Sequence, residues 1–192
     1  MLNIVLFGPP GSGKGTQACK IIEKYKLMHI STGDLLRSEV EKQTELGIRA
    51  KAIMDSGELV SDEIVIGMIR NKIEEFQDGP GFIFDGFPRT VKQARELRKL
   101  LTDYDERISM MISLTVPREE LVKRLIKRGE ETGRSDDNLE TINNRIDVYN
   151  KQTLPVAYYY DKMHKHAPVN GLGDIDKIFE RIVSVMDGLE PK

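Results

Sequence analysis

The chain has no tryptophan, one cysteine and only 6% aromatic residues among its 192 positions. With so few rings, a base-stacking platform for single-stranded nucleic acid is not expected. The one thiol, Cys19, cannot close an intrachain disulfide, and no zinc site can be built on two or more cysteines. A single thiol fits a reducing compartment such as the cytoplasm. An excess of charge is lacking too. The 29 Lys+Arg against 31 Asp+Glu leave a formal net charge of -2, far from the basic balance of a dedicated nucleic-acid binder. No apolar run approaches the ~20 residues that cross a bilayer, so no membrane partner is expected. Residues 1–7 have no basic stretch before their apolar run and read as a buried strand, not a signal peptide.

What is present describes a globular protein. The hydrophobic fraction is 39% and the charged fraction 31%. A chain of this length buries roughly 70% of its unfolded surface, which is enough for a core without staples. Short apolar runs at Leu2 to Phe7, Met28 to Ile30, Phe82 to Asp85, Ile108 to Val116 and Pro168 to Leu172 read as strands. Between them, apolar residues recur at helical spacing: Ala18, Ile21, Ile22 and Tyr25; Val65, Met68, Ile69 and Ile73; Ala94, Leu97 and Leu101; Leu139, Ile142, Ile146 and Tyr149; and Ile175, Ile178, Phe179, Ile182 and Val183. Ser31 with Asp34, Ser61 with Asp62 and Glu63, and Thr90 with Gln93 mark helix starts. Pro117 suits a first helical turn.

Strands alternating with helices predict an α/β fold, a parallel sheet covered on both faces. Two polar, glycine-punctuated segments, 31–60 and 127–137, fit the sheet poorly and read as appendages. The expected organisation is one core (1–30, 61–126 and 138–192) carrying two small flaps. Gly129 to Asn138 reads as a loop. Cys19 reads as a small core residue, His164 and His166 as exposed, and Tyr158 to Tyr160 as packing residues. Asn71 to Glu74 resembles a guanine-binding motif, but has Glu for Asp and lies in a helical stripe, so it is set aside.

The strongest signal is Gly-Pro-Pro-Gly-Ser-Gly-Lys-Gly-Thr at 8–16. Gly8, Gly13 and Lys14 fit the phosphate-binding pattern, with a strand before and a helix after. Gly11, Ser12, Gly13, Lys14, Gly15 and Thr16 would wrap backbone N–H groups around a polyphosphate at the positive end of a helix. Gly15 stands where the pattern usually has a hydroxyl, and Thr16 follows one residue later. That displacement leaves magnesium mainly to phosphates and water.

GPPGSGKGTQ at 8–17, STGDLLR at 31–37, DGFPRT at 85–90 and GRSDD at 133–137, in this order, resemble the adenylate kinases. The resemblance covers nearly the whole chain. It implies a P-loop three-layer α/β/α fold with a five-stranded parallel sheet, a monomer, and Mg-dependent phosphoryl transfer from ATP to AMP giving two ADP. It also implies a flap over AMP at 31–60 and a short lid over ATP at 127–137, without zinc. The chemistry agrees. A phosphate monoester with a second pKa of about 6 is already ionised at neutral pH, so its oxygen needs no general base. What such a reaction needs is alignment and charge neutralisation.

Arginine suits that task because its planar fork grips phosphate oxygens in pairs. Arg37, Arg89, Arg124, Arg128, Arg134 and Arg145 lie where loops meet elements, although any one alone also fits a surface ion pair. By the resemblance, Arg37 and Arg89 hold the AMP phosphate. Arg128, Arg134 and Arg145 close over the transferring group, Arg134 and Arg145 also meeting the AMP side, and Arg124 supports ATP. Asp85 would orient magnesium through water, or else cap a loop. Asp136 and Asp137 read as lid-closing residues, helix caps, or both. Thr32 and Gln93 resemble the AMP-type pair, although Thr90 to Gln93 is also a capping box. Glu58, Leu59 and Val60 would line the acceptor base, Gly86, Phe87 and Pro88 the AMP phosphate, and Gly173 the ATP adenine. Two other readings stay open: a kinase of UMP or CMP, and a P-loop switch acting through protein partners.

Overall fold

A computed structural model describes residues 1–76 and 79–189. The core segments expected at 61–126 and 138–192 include 77–78 and 190–192, which lie outside the described residues. Five strands, β1 (Ile4–Phe7), β2 (Met28–Ser31), β3 (Phe82–Asp85), β4 (Met110–Thr115) and β5 (His166–Asn170), form one sheet in the order β2-β3-β1-β4-β5. All four pairings are parallel. The helices are α1 (Lys14–Tyr25), α2 (Thr32–Glu41), α3 (Glu45–Asp55), α4 (Asp62–Glu75), α5 (Val91–Thr102), α6 (Arg118–Thr132), α7 (Leu139–Val148), α8 (Leu154–Asp161) and α9 (Ile175–Met186).

Side chains alternate across a strand, and β1 shows why the sheet needs cover on both faces. Val5 and Phe7 join Phe82, Phe84 and Met111 in a core closed by Ile69 of α4, Leu97 of α5 and Val156 of α8. Ile4 and Leu6 join Ile83, Ile112 and Leu114 beneath Ile21 of α1 and Ile182 of α9. The result is the expected three-layer α/β/α arrangement. A third cluster sits apart, where Leu121 and Leu125 of α6 meet Ile142 and Ile146 of α7.

Several sequence expectations are corrected by this packing. The last strand begins at His166, not Pro168. Residues 127–132 continue α6, so Gly129 is helical, and only Gly133 (φ 66) ends the helix. A Cβ on Gly129 would lie 3.0 Å from Asp137 Cβ, so this glycine serves close packing rather than a turn. Leu139 and Ile175 are exposed, because each is the first residue of its helix, where the apolar stripe has not yet turned inward. Tyr160 is buried against Tyr159, whereas Tyr158 is exposed. His166 is not exposed. Its ring bridges Ser113 Oγ (2.7 Å from Nε2) and Asp161 Oδ1 (3.0 Å from Nδ1), tying α8 to the sheet. Cys19 lies at the surface rather than in the core.

Candidate active site

β1 is the switch point of the sheet: the chain next fills β3 and β2 on one side, then β4 and β5 on the other. Ligands of open parallel sheets bind outside the carboxyl ends of strands at such a point. A cavity of about 610 Å³ opens there. The glycine loop leaves β1 on its floor. Gly11 has φ +81, and a Cβ there would sit 2.9 Å from Leu125 Cγ, so the loop can press against α6 only without a side chain.

Lys14, the first residue of α1, folds back over this loop. Its Nζ donates to the carbonyls of Gly8 (2.8 Å) and Pro9 (2.9 Å) and to Ser12 Oγ (3.4 Å). Burial pushes its pKa down to about 8. Asp85 opposes that shift, and Arg89, Arg145 and Arg128 add to it. Asp85 stands at the end of β3, and Thr16 lines the same cavity. Among the described residues no three His, Cys, Asp or Glu side chains cluster in a way that would hold a metal. One carboxylate and one hydroxyl beside a polyphosphate cradle nevertheless fit magnesium, which keeps most of its water and takes phosphate oxygens as ligands.

The arginines converge. Arg37, Arg89, Arg124, Arg128, Arg134 and Arg145 all line the cavity with Lys14, against the carboxylates Asp34, Glu58, Asp85 and Asp136. Burial pushes the Arg89 guanidinium down to about 10, with Arg145 next in effect, and its Nε donates to Gly86 O at 2.8 Å. Burial likewise lowers Arg134 and Arg145. Packing this many cations together is costly unless a polyanion joins them. Internal carboxylates offset part of the cost. Asp137, its side chain fully buried, accepts from Arg128 Nε and Nη2 and from Arg145 Nη1. Asp136 Oδ2 lies 2.8 Å from Arg145 Nη1. Neither aspartate caps α7. Asn138 does, accepting from Thr141 N at 3.0 Å. Arg37 pairs with Asp34, and Arg124 with Glu120 and the carbonyl of Gly171.

The opposite wall is built by 31–60, which holds α2 and α3. Ser31 caps α2 through Asp34 N, and Thr44 caps α3 through Gly47 N. Thr32 Oγ1 donates to Gly86 O at 2.8 Å, tying α2 to the Gly86–Phe87–Pro88 turn. Glu58, Leu59 and Val60 line the cavity here, as does the buried Gln93 of α5. Gln93 is held on both sides: its Oε1 accepts from Arg89 N (2.7 Å), and its Nε2 donates to Asp62 Oδ1 (2.8 Å). The end of α3 also meets the segment across the cavity. Ser135 Oγ donates to Asp55 Oδ1 (2.6 Å), Thr141 Oγ1 to Asp55 O (3.1 Å), and Asn144 Nδ2 to Ser56 O (2.7 Å).

Of the residues singled out from sequence, three stand away from the cavity wall. Ser12 is buried within the glycine loop, Asp137 is buried behind Arg128 and Arg145, and Gly173 lies beyond the lining. Other lining residues carried no sequence signal as site residues. Among them are His29 on β2, whose Nε2 lies 3.9 Å from Asp85 Oδ2, Tyr149 in the π-helical turn Tyr149–Thr153, and Cys19 one turn beyond the glycine loop. A single His in a strand and a Tyr in an apolar stripe look like ordinary packing until the fold turns them inward.

A family model described as adenylate kinase matches residues 6–165. The adenylate kinase of Bacteroides fragilis (strain ATCC 25285) is 52% identical over 189 residues, 98% of this chain and all of the relative. Those of Phocaeicola vulgatus and Leptospira biflexa are 50% and 48% identical over 98% and 95% of the chain, and over 100% and 98% of their own lengths. With this cover and the P-loop cavity at the switch point of a five-stranded parallel sheet, the chain belongs to the adenylate kinase family.

Proposed function

We propose that this cavity transfers the terminal phosphoryl group of ATP to AMP, reversibly, to give two ADP. The observation that carries the reading is the meeting of Lys14 and six arginines between two walls, one built on the glycine loop and one on α2 and α3. A single nucleotide would not need both. An oxygen of the AMP phosphate attacks the γ-phosphorus of ATP, and the bond from that phosphorus to the β-phosphate oxygen breaks. The leaving ADP takes the electron pair. No side chain has to remove a proton from the attacking group.

In this reading the loop 11–16 and Lys14 hold the ATP phosphates, with Arg124 in support. Arg37 and Arg89 hold the AMP phosphate beside Gly86, Phe87 and Pro88. Arg128, Arg134 and Arg145 neutralise the group in transit. Thr32, Gln93 and Glu58 to Val60 surround the acceptor base. Asp85, through water, and Thr16 would hold magnesium, which supplies charge neutralisation on the phosphates. Segments 31–60 and 127–137 act as flap and lid, closing as adenylate kinase lids do to expel water before transfer. We also read the enzyme as cytoplasmic, in keeping with its single thiol, and by family analogy as a monomer.

The test is ADP production from ATP and magnesium with AMP, UMP, CMP and GMP supplied in turn. Rapid turnover confined to AMP is expected. Faster turnover with UMP or CMP would move the chain to the pyrimidine kinases, and GTP hydrolysis without an acceptor would make it a switch.

A further inference from the structure

We propose that Asp62 is a positioning residue that makes the site choose adenine over 6-oxopurines, by fixing which way round the Gln93 amide points. The proposal rests on the reading above, in which Gln93 meets the acceptor base. Asp62 is the first residue of α4 and does not line the cavity. It stands behind Gln93, where its carboxylate accepts from Gln93 Nε2 (2.8 Å) and from Thr90 Oγ1 (3.2 and 3.3 Å). Thr90 Oγ1 in turn accepts from Gln93 N (3.1 Å), and Arg89 N donates to Gln93 Oε1 (2.7 Å).

The donors and acceptors fix the orientation. A backbone N–H can only donate and a carboxylate can only accept, so Oε1 must face Arg89 and Nε2 must face Asp62. A glutamine amide has two N–H donors and two acceptor lone pairs. One of each is consumed, leaving one lone pair on Oε1 and one hydrogen on Nε2 for a ligand. That residual pair matches the adenine edge, which offers an amino donor at N6 beside ring-nitrogen acceptors. A 6-oxopurine carries a carbonyl acceptor at the same position and an N1–H donor, and needs the amide reversed. Reversal would set Nε2 against the Arg89 N–H and Oε1 against the Asp62 carboxylate, two unfavourable contacts in a buried place. Rejection by unpaired buried polar groups is stronger than rejection by shape alone.

The capping box expected at Thr90 to Gln93 is thus modified. Thr90 caps the helix, but the Gln93 side chain reaches the N–H of Arg89 rather than that of Thr90. The same residue serves as cap and as reader, and Asp62 keeps the two uses compatible.

The experiment compares kcat/KM for AMP and for IMP in Asp62→Leu, Asp62→Asn, Gln93→Ala and Glu63→Gln. Glu63→Gln is the control, because it removes one charge from the same helical turn but pairs with Lys92 at the surface. Asp62→Leu should lower the AMP:IMP preference about tenfold or more, the scale of a lost hydrogen bond in a discriminating site. KM for AMP should rise while KM for ATP and kcat at saturating AMP stay within about twofold, since transfer itself is untouched. Asp62→Asn, which keeps one acceptor, should fall between, and it tests the idea even if the leucine variant fails to fold. Glu63→Gln should retain the preference. If Gln93→Ala loses the preference while both Asp62 variants keep it, the positioning role is wrong. If Gln93→Ala keeps it, the reading of Gln93 itself is wrong, whatever Asp62 does.

Discussion

Arg128 holds Asp137 by two parallel bonds, Nε to Oδ2 at 2.6 Å and Nη2 to Oδ1 at 2.7 Å. The carboxylate is fully buried and Arg145 reaches it as well, so one anion joins α6, the turn after Gly133 and α7. Removing it leaves two guanidiniums facing each other. Asp137→Ala should destabilise the protein by about 2 kcal/mol, less than a fully buried pair because Arg128 is partly exposed. A melting temperature within a degree of the parent would show that the cluster contributes no stability.

Arg89→Lys keeps the charge and discards the fork. Arg89 is half-buried beside Gly86, and a lysine there cannot both donate to the Gly86 carbonyl and grip two phosphate oxygens. Steady-state kinetics should show kcat/KM for AMP reduced about a hundredfold or more, toward the range lost with an arginine finger. Turnover close to the parent's would rule out paired recognition at this position.

Lys14 has its pKa lowered to about 8 from an ordinary value of 10.5. Between those values the unfolded chain carries more protons than the folded one, so this group makes stability rise with pH across the window. ATP binding works the other way, because a polyphosphate favours the charged lysine. Near pH ~9, binding should therefore take up close to one proton, read by calorimetry in buffers of different ionisation heat. Lys14→Met should abolish that uptake. Equal uptake in the variant would assign the proton elsewhere.

Gly47 lies where α3 crosses α2, and a Cβ there would fall 2.0 Å from the Glu39 carbonyl oxygen. Gly47→Ala should therefore force the two helices apart at a local cost of about 1–3 kcal/mol. Under the proposed division of the chain, KM for AMP should rise several-fold and KM for ATP should not. An equal rise in both would mean that 31–60 is not a unit of its own.

Cys19 is exposed and lines the cavity beside the glycine loop. Alkylation by iodoacetamide should slow markedly when ATP is present and little when only AMP is. Mass spectrometry of the labelled peptide measures this. Identical labelling with and without ATP would place the nucleotide away from α1.

Strands and most buried helical faces were legible because their cause is local. Val5, Phe7, Ile83 and Phe84 form apolar runs that have no other use. The glycine loop was legible for a similar reason, since its residue types are dictated by one ligand chemistry. The misreadings concern residues whose reason lies elsewhere in the fold. Gly129 looks like a breaker, but it is small so that Asp137 can approach. Cys19 belongs to a class that is usually buried, yet its turn of α1 faces the cavity. His166 sits in a basic, polar stretch whose sequence shows neither Ser113 nor Asp161 as a partner. Most of the candidate site could be enumerated from motifs, but the network behind it could not. Asp62 reads as an N-terminal helix acid, and nothing in its neighbourhood points to Gln93.

The bonds from Ser135, Thr141 and Asn144 to the end of α3 join two sides of the cavity, the wall of α2 and α3 and the wall formed by the turn after Gly133 with α7. If ATP lies under one wall and AMP under the other, neither wall can move without straining what holds its neighbour. The two affinities then cease to be independent quantities. Whatever factor ATP adds to the binding of AMP, AMP must return to ATP, because a coupling free energy has no direction.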